Sequence, residues 1–132
     1  MNNSWKYKID LIDVGVFKEI EKNRGVTIPS SLKDFICNCN AATPEKYNFM
    51  INSSEKVFGA VLSYNKNEQD TDSVFTALDV IKDKNLIPFA IDPFGNYICL
   101  NVDNDMVVFW DHEGDKVYSS DKSLDAFIDS LY

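Results

Sequence analysis

One histidine, three cysteines, four prolines and five glycines are spread over 132 residues, and each shortage closes a class of function. The glycines (Gly15, Gly25, Gly59, Gly95 and Gly114) never cluster, so neither a dinucleotide-binding G-x-G-x-x-G nor a P-loop is present. A Ser/His/Asp triad requires His112 as its base, and no serine sits in a G-x-S-x-G elbow. Cys37, Cys39 and Cys99 are odd in number, and Cys37-x-Cys39 is not a zinc-knuckle spacing, so reduced thiols are expected. Each cysteine lies inside an apolar pattern, where burial raises the thiol pKa and blunts its reactivity. Long apolar runs are missing too. The longest, Met106–Trp110, has five residues, where a membrane-spanning helix needs about 20. The opening residues carry no apolar stretch of a secretion signal. A cytoplasmic protein with no membrane partner, no metal and no cofactor is expected.

What remains is an ordinary globular composition, with 45% hydrophobic and 26% charged residues. At this length folding hides roughly 65–70% of the unfolded chain's surface, so a single domain over residues 1–132 is expected without disulfide or metal staples. The charge is lopsided. Thirteen Lys and Arg face twenty-one Asp and Glu, a net of −8. Residues 1–66 hold nine basic and seven acidic residues, whereas residues 67–132 hold four and fourteen, a balance of −10. Such a surface repels nucleic acid, whose phosphates are held by Lys and Arg, and attracts a basic protein. The plainer reading is that net negative charge keeps the chain soluble.

Periodicity places the elements. Asp13 is positioned to cap a helix running to about Arg24, with Val16, Phe17 and Ile20 on one side and Gly25 as its stop. Pro29 opens a second helix whose Leu32, Phe35, Ile36 and Cys39 form one stripe. A loop covers Asn40 to Glu45. Tyr47, Phe49 and Ile51 alternate as in a half-buried strand; Asn52-Ser53-Ser54 turns, and Val57 to Tyr64 returns. Asn65 to Asp72 carries no apolar residue and reads as a solvated loop. A third helix is predicted from about Ser73 to Asp83, with Val74, Phe75, Leu78 and Ile81 on one face. A meander follows: Leu86–Ile91, with Pro88 marking an edge or a bulge, then Tyr97–Val102, Met106–Asp111 and Lys116–Tyr118. Its turns are Asp92–Asn96, Asp103–Asp105 and Glu113–Asp115. A last helix spans about Asp121 to Leu131. The sum is an α+β fold, an antiparallel meander sheet packed with amphipathic helices. The run Val107–Trp110 implies burial on both faces of part of that sheet.

Catalytic and metal-binding patterns largely fail. Asp103-Asn104-Asp105 begins like a calcium loop, but the sixth position is Val108 where glycine is needed, and the twelfth is Gly114 where glutamate is needed. Asp111-His112-Glu113 offers three ligand types, yet alternation along a strand points His112 away from its neighbours. It reads as a polar strand end.

Three segments carry a resemblance. Ile20 to Ile36 (IEKNRGVTIPSSLKDFI) resembles the opening of the SUKH superfamily, the group of the fungal Smi/Knr cell-wall regulators and many bacterial toxin-immunity proteins. Leu86 to Leu100 (LIPFAIDPFGNYICL) is similar to that family's Pro-Phe-Ala, turn, Gly-Asn, strand element. Val107 to Glu113 (VVFWDHE) resembles its strand ending in Trp, Asp and an acidic residue. Order and spacing agree over about residues 13–131. One departure stands out: family members often place glycines after the second helix, and this chain has Asn40-Ala41-Ala42. The resemblance implies a mixed α+β fold, no enzymatic activity and a role as cognate antitoxin in bacterial polymorphic or contact-dependent toxin systems, where nuclease toxins are common.

Charge fits that implication. A nuclease holds phosphates with basic residues, so an inhibitor that presents carboxylates can occupy the same groove and be drawn to it at long range. The expected contacts are Asp103, Asp105, Asp111, Glu113 and Asp115 from the meander turns, with Glu68, Asp70 and Asp72 from the polar loop. Phe94, Tyr97 and Tyr118 are the candidate aromatic anchors, set against the simpler reading that each acid is a solvated turn residue. Trp110, Phe109, Phe35 and Ile20 are expected in the core. The rivals are a non-enzymatic regulatory scaffold of the fungal Smi/Knr type, binding endogenous proteins, and an enzyme using His112 with nearby carboxylates.

Overall fold

The computed structural model describes residues 3–66 and 72–132. Elements follow in the order β1 (Trp5–Lys6), α1 (Val16–Arg24), α2 (Ser30–Cys39), β2 (Thr43–Pro44), β3 (Asn48–Ile51), β4 (Ser54–Val57), β5 (Ala60–Val61), α3 (Val74–Val80), β6 (Leu86–Ile91), β7 (Tyr97–Asn101), β8 (Met106–Asp111), β9 (Lys116–Ser119) and α4 (Leu124–Asp129). The fold is α+β. Strands β5-β6-β7-β8-β9 form one antiparallel sheet in sequence order, and β1-β2 and β3-β4 are separate two-stranded ladders.

The helical stripes bury as their spacing requires. Val16, Phe17 and Ile20 of α1, Leu32, Phe35, Ile36 and Cys39 of α2, and Leu124, Phe127 and Ile128 of α4 all enter the core. Helix α1 starts later than expected. The Asp13 carboxylate accepts the Gly15 N–H at 2.8 Å, a local turn that postpones the helix, and Gly15 is the cap. Gly25 closes α1 at φ 70°, and its N–H reaches the Glu21 carbonyl. Glu21 also accepts the Ile28 N–H at 2.7 Å, which ties the end of α1 to the entry of α2. After α2 comes the segment where glycine was expected. Ala41 adopts φ 62° there, a left-handed conformation taken without a glycine.

Several expectations need correction. Cys37 is exposed, because it lies two residues from Cys39 and so on the outer side of α2; Cys39 and Cys99 are buried. Tyr47 lies before β3 and is exposed rather than on the strand's buried face, while Phe49 and Ile51 do point inward. The strand expected over Val57–Tyr64 is cut in two. Gly59 donates to the Ile91 carbonyl at 3.0 Å, and a Cβ at Gly59 would lie 2.7 Å from that oxygen. The bare backbone lets the chain leave the β3–β4 hairpin and join the main sheet as β5. Asn65 is buried, not solvated. Its side chain accepts from Ile12 N and donates to Asp10 O, each at 2.9 Å. With Asn40, which bonds Ile9 and Tyr64, it pins the N-terminal arm to the core.

Helix α3 is also shorter than its apolar pattern, ending at Val80 rather than near Asp83. Ser73 caps its start by accepting the Phe75 N–H at 3.1 Å. At the other end the Arg24 guanidinium donates to the carbonyls of Leu78 and Ile81 at 2.8 Å and of Asp83 at 3.0 Å. That fork supplies partners for carbonyls a longer helix would have satisfied internally. Pro88 sits in an interior strand, at a bulge between Pro88 and Ala90 in the β6–β7 register, which spares the ladder a missing donor.

Strands β6, β7 and β8 are buried almost throughout, as continuous apolar runs predict. Phe49 of β3 and Phe127 of α4 meet at 5.0 Å and Phe49 reaches Phe109 at 6.2 Å, so the hairpin and α4 cover the Phe109 face. Trp110 and Tyr97, opposite one another in register, lie on the other face with centroids 5.9 Å apart. Phe109, Trp110, Phe35 and Ile20 are core residues.

Candidate functional site

A meander sends alternate turns to opposite ends of its sheet, and this sorts the acidic candidates. The β6–β7 turn (residues 92–96) and the β8–β9 turn (112–115) share one end, where Asn96 bonds His112. The β7–β8 turn, with Asp103 and Asp105, is at the other. Five residues, Met106 to Trp110, separate Asp105 from Asp111 along β8, a span of roughly 20 Å. Asp111, Glu113 and Asp115 are therefore brought together, and Asp103 and Asp105 are kept apart from them. Asp72 is exposed beside the start of α3. Burial pushes the Tyr97 hydroxyl above its ordinary value, and the Asp72 charge adds to that effect. Glu68 and Asp70 lie outside the described residues.

The aromatic candidates separate as clearly. Phe94 is 72% exposed, whereas Tyr97 is 8% exposed and packed on Trp110, so Tyr97 is corrected from surface anchor to core residue. Tyr118, opposite Phe109 in register, is half-buried against the core. Phe94 alone stands free, at the same end as Asp111, Glu113 and Asp115.

That end is held by local bonds. Asp92 is buried, and its carboxylate accepts the backbone N–H groups of Phe94 at 2.9 Å and Asn96 at 2.8 Å, and the Asn96 amide at 2.9 Å. Gly95 takes φ 87°, the late positive φ the turn needs. Asn96 Oδ1 then accepts the His112 N–H at 3.0 Å and faces His112 Nδ1 at 2.6 Å, clamping the two turns together. Asp111 accepts the Glu113 N–H at 3.0 Å. In the β8–β9 turn Asp115, not Gly114, is left-handed at φ 49°, and its carboxylate accepts from Trp110 Nε1 at 2.7 Å. Asp115 thus has a structural duty besides its charge, while Glu113 projects freely.

The turn at Asp92–Asn96 was expected, but not the bracing roles of Asp92 and Asn96 or the direction of the His112 ring. The signal was in the turn itself: an Asx residue followed by Pro-Phe-Gly-Asn closes on its own carboxylate. Among the described residues no group of three His, Cys, Asp or Glu is placed to hold a metal ion. Burial pushes the Cys39 and Cys99 thiols upward, away from nucleophilic chemistry. None of the described helices is long and apolar enough to cross a membrane.

The three resembling segments fall on the α1–α2 corner, on β6–β7 and on β8. A model of the SMI1/KNR4 family (SUKH-1) matches residues 12–130. The chain belongs to that family. Within this SUKH-1 chain the matched span starts in the N-terminal arm and reaches the end of α4. A relative, the SPbeta prophage-derived uncharacterized protein YokK of Bacillus subtilis (strain 168), is 29% identical over 73% of this chain and 60% of its own length. The chain thus spans about 60% of the length of that curated relative.

Proposed function

We propose that this SUKH-1 chain is an immunity protein, binding and neutralising a cognate bacterial toxin domain through the sheet end that carries Phe94, Asp111, Glu113 and Asp115. The observation that carries the reading is the placement of one exposed aromatic beside three carboxylates on turns braced by Asp92 and Asn96. A flat apolar anchor rimmed by charge is the anatomy of a binding hot spot, and rigid turns reduce the ordering cost of docking. Family membership and similarity to a prophage protein support a defensive binding role over catalysis. The opposing groove is basic, as a nuclease's phosphate-binding surface is, and the −10 balance of residues 67–132 steers the encounter. The work is done in the cytoplasm, where such a toxin acts.

The test is co-expression with the toxin domain encoded beside the gene, read as growth rescue, followed by affinity at two salt concentrations. Asp111→Asn, Glu113→Gln and Asp115→Asn together should weaken binding and flatten its salt dependence. The pair Asp103→Asn and Asp105→Asn, at the far end of the sheet, should leave both nearly unchanged. A reversal of those two results moves the docking face to the β7–β8 turn. Unaltered growth arrest in the presence of folded protein refutes the immunity reading in favour of a regulatory scaffold.

A further inference from the structure

The docking end carries one group that charge alone does not use: the imidazole of His112, the only histidine in the chain. Its surroundings fix which ring nitrogen holds the proton. A backbone N–H can only donate, and that of His112 donates to the Asn96 side chain at 3.0 Å, so the atom facing it is the carbonyl Oδ1. The far side of the same amide agrees, because Nδ2 donates at 2.9 Å to Asp92 Oδ2. Asn96 Oδ1 also lies 2.6 Å from His112 Nδ1. A carbonyl oxygen only accepts, so Nδ1 must carry the hydrogen. In the neutral ring the free lone pair is then on Nε2, in a residue exposed to solvent.

We infer that the Asp92–Asn96–His112 relay presents Nε2 as a hydrogen-bond acceptor for an ammonium or guanidinium donor of the bound toxin, so that His112 sets specificity at the docking face. This inference rests on the immunity reading and adds to it the residue that discriminates among basic partners. Asp92 stands behind Asn96; Asp111 and Glu113 flank His112 in sequence; Asp115 and Lys116 complete the turn. Gly95 lies against the ring, its Cβ position 3.9 Å away.

Nitrogen-15 NMR of the free protein reads the ring directly, since a single histidine gives a single set of signals. At neutral pH Nδ1 should resonate as the protonated nitrogen and Nε2 as the bare one, and Asn96→Ala should shift the ring toward the Nε2–H form. A wild-type ring that is mainly Nε2–H overturns the inference with no partner required. The second arm measures affinity for the adjacent-gene toxin domain at neutral pH. His112→Ala removes the acceptor and should weaken binding about tenfold. His112→Gln keeps an acceptor and should retain most of the affinity, and His112→Lys should bind weakly. Equal affinities for wild type, His112→Ala and His112→Lys overturn the inference while leaving the immunity reading intact. Absence of binding by wild type defeats the immunity reading and this inference with it.

Discussion

Replacing Arg24 by Met removes the donors for three carbonyls at the end of α3 without removing the length of the side chain. Hydrogen bonds to a charged group contribute about 1.5–3 kcal/mol each. The two bonds to Leu78 and Ile81 are half-buried, while the bond to Asp83 is exposed, so its share shrinks through solvent screening. Counting the first two at the low end and little for the third gives a loss of about 3 kcal/mol. For a chain of this size that corresponds to a fall in Tm of about 10 °C. Arg24→Lys keeps the charge but cannot spread donors over three carbonyls, so it should recover only a minor part of the loss. The measurement is urea unfolding followed by circular dichroism, with the slope m unchanged if only stability moves. If Arg24→Met and Arg24→Lys both stay within about 0.5 kcal/mol of wild type, the fork is not what ends α3, and the account of its early stop is wrong.

Phe94→Ala should leave folding stability nearly unchanged, because the ring is mostly exposed, and should weaken toxin binding by about 2 kcal/mol or more, roughly 30-fold in Kd by calorimetry. A thiol reagent should titrate one cysteine, Cys37, in the native protein and all three only in denaturant; rapid native reaction of Cys99 would contradict the packing of β7. Burial raises the folded-state pKa of Cys99 above its ordinary value of 9.0, so the folded state holds that proton more tightly than the unfolded chain. The resulting stability is complete below about pH 9 and is lost as pH climbs beyond it. Cys99→Ala should reduce the alkaline dependence seen in urea midpoints between about pH 8 and about pH 10, even though it lowers stability overall.

Local signals were legible in the sequence because local physics decides them. Four apolar stripes, the Gly25 stop, the Pro29 start and the Asp92–Asn96 turn are each determined within a few residues. What escaped depends on contacts far along the chain. The cut at Gly59 is caused by Ile91, the early end of α3 by Arg24, and the burial of Asn65 by the arm at Asp10 and Ile12. A polar residue in a polar tract gives no hint that it will serve as a backbone partner for a distant segment. Cys37 was misjudged for a different reason: a helix two residues past an apolar position has turned to its opposite side, so composition near it says nothing of burial. For the candidate site, individual acids were visible but their grouping was not. The parity of the meander, readable once its turns were named, already separates Asp103 and Asp105 from Asp111, Glu113 and Asp115.

The bonds that shape the two adjoining turns come from Asp92, Asn96, Asp111 and Asp115, while the outermost side chains, Phe94 and Glu113 among them, hold up nothing beneath them. Asp111 and Asp115 thus combine framework with charge, whereas Phe94 and Glu113 are free of any bracing duty. On the proposed immunity role, substitutions at those two tips redirect the scaffold to an unrelated target at almost no cost in stability.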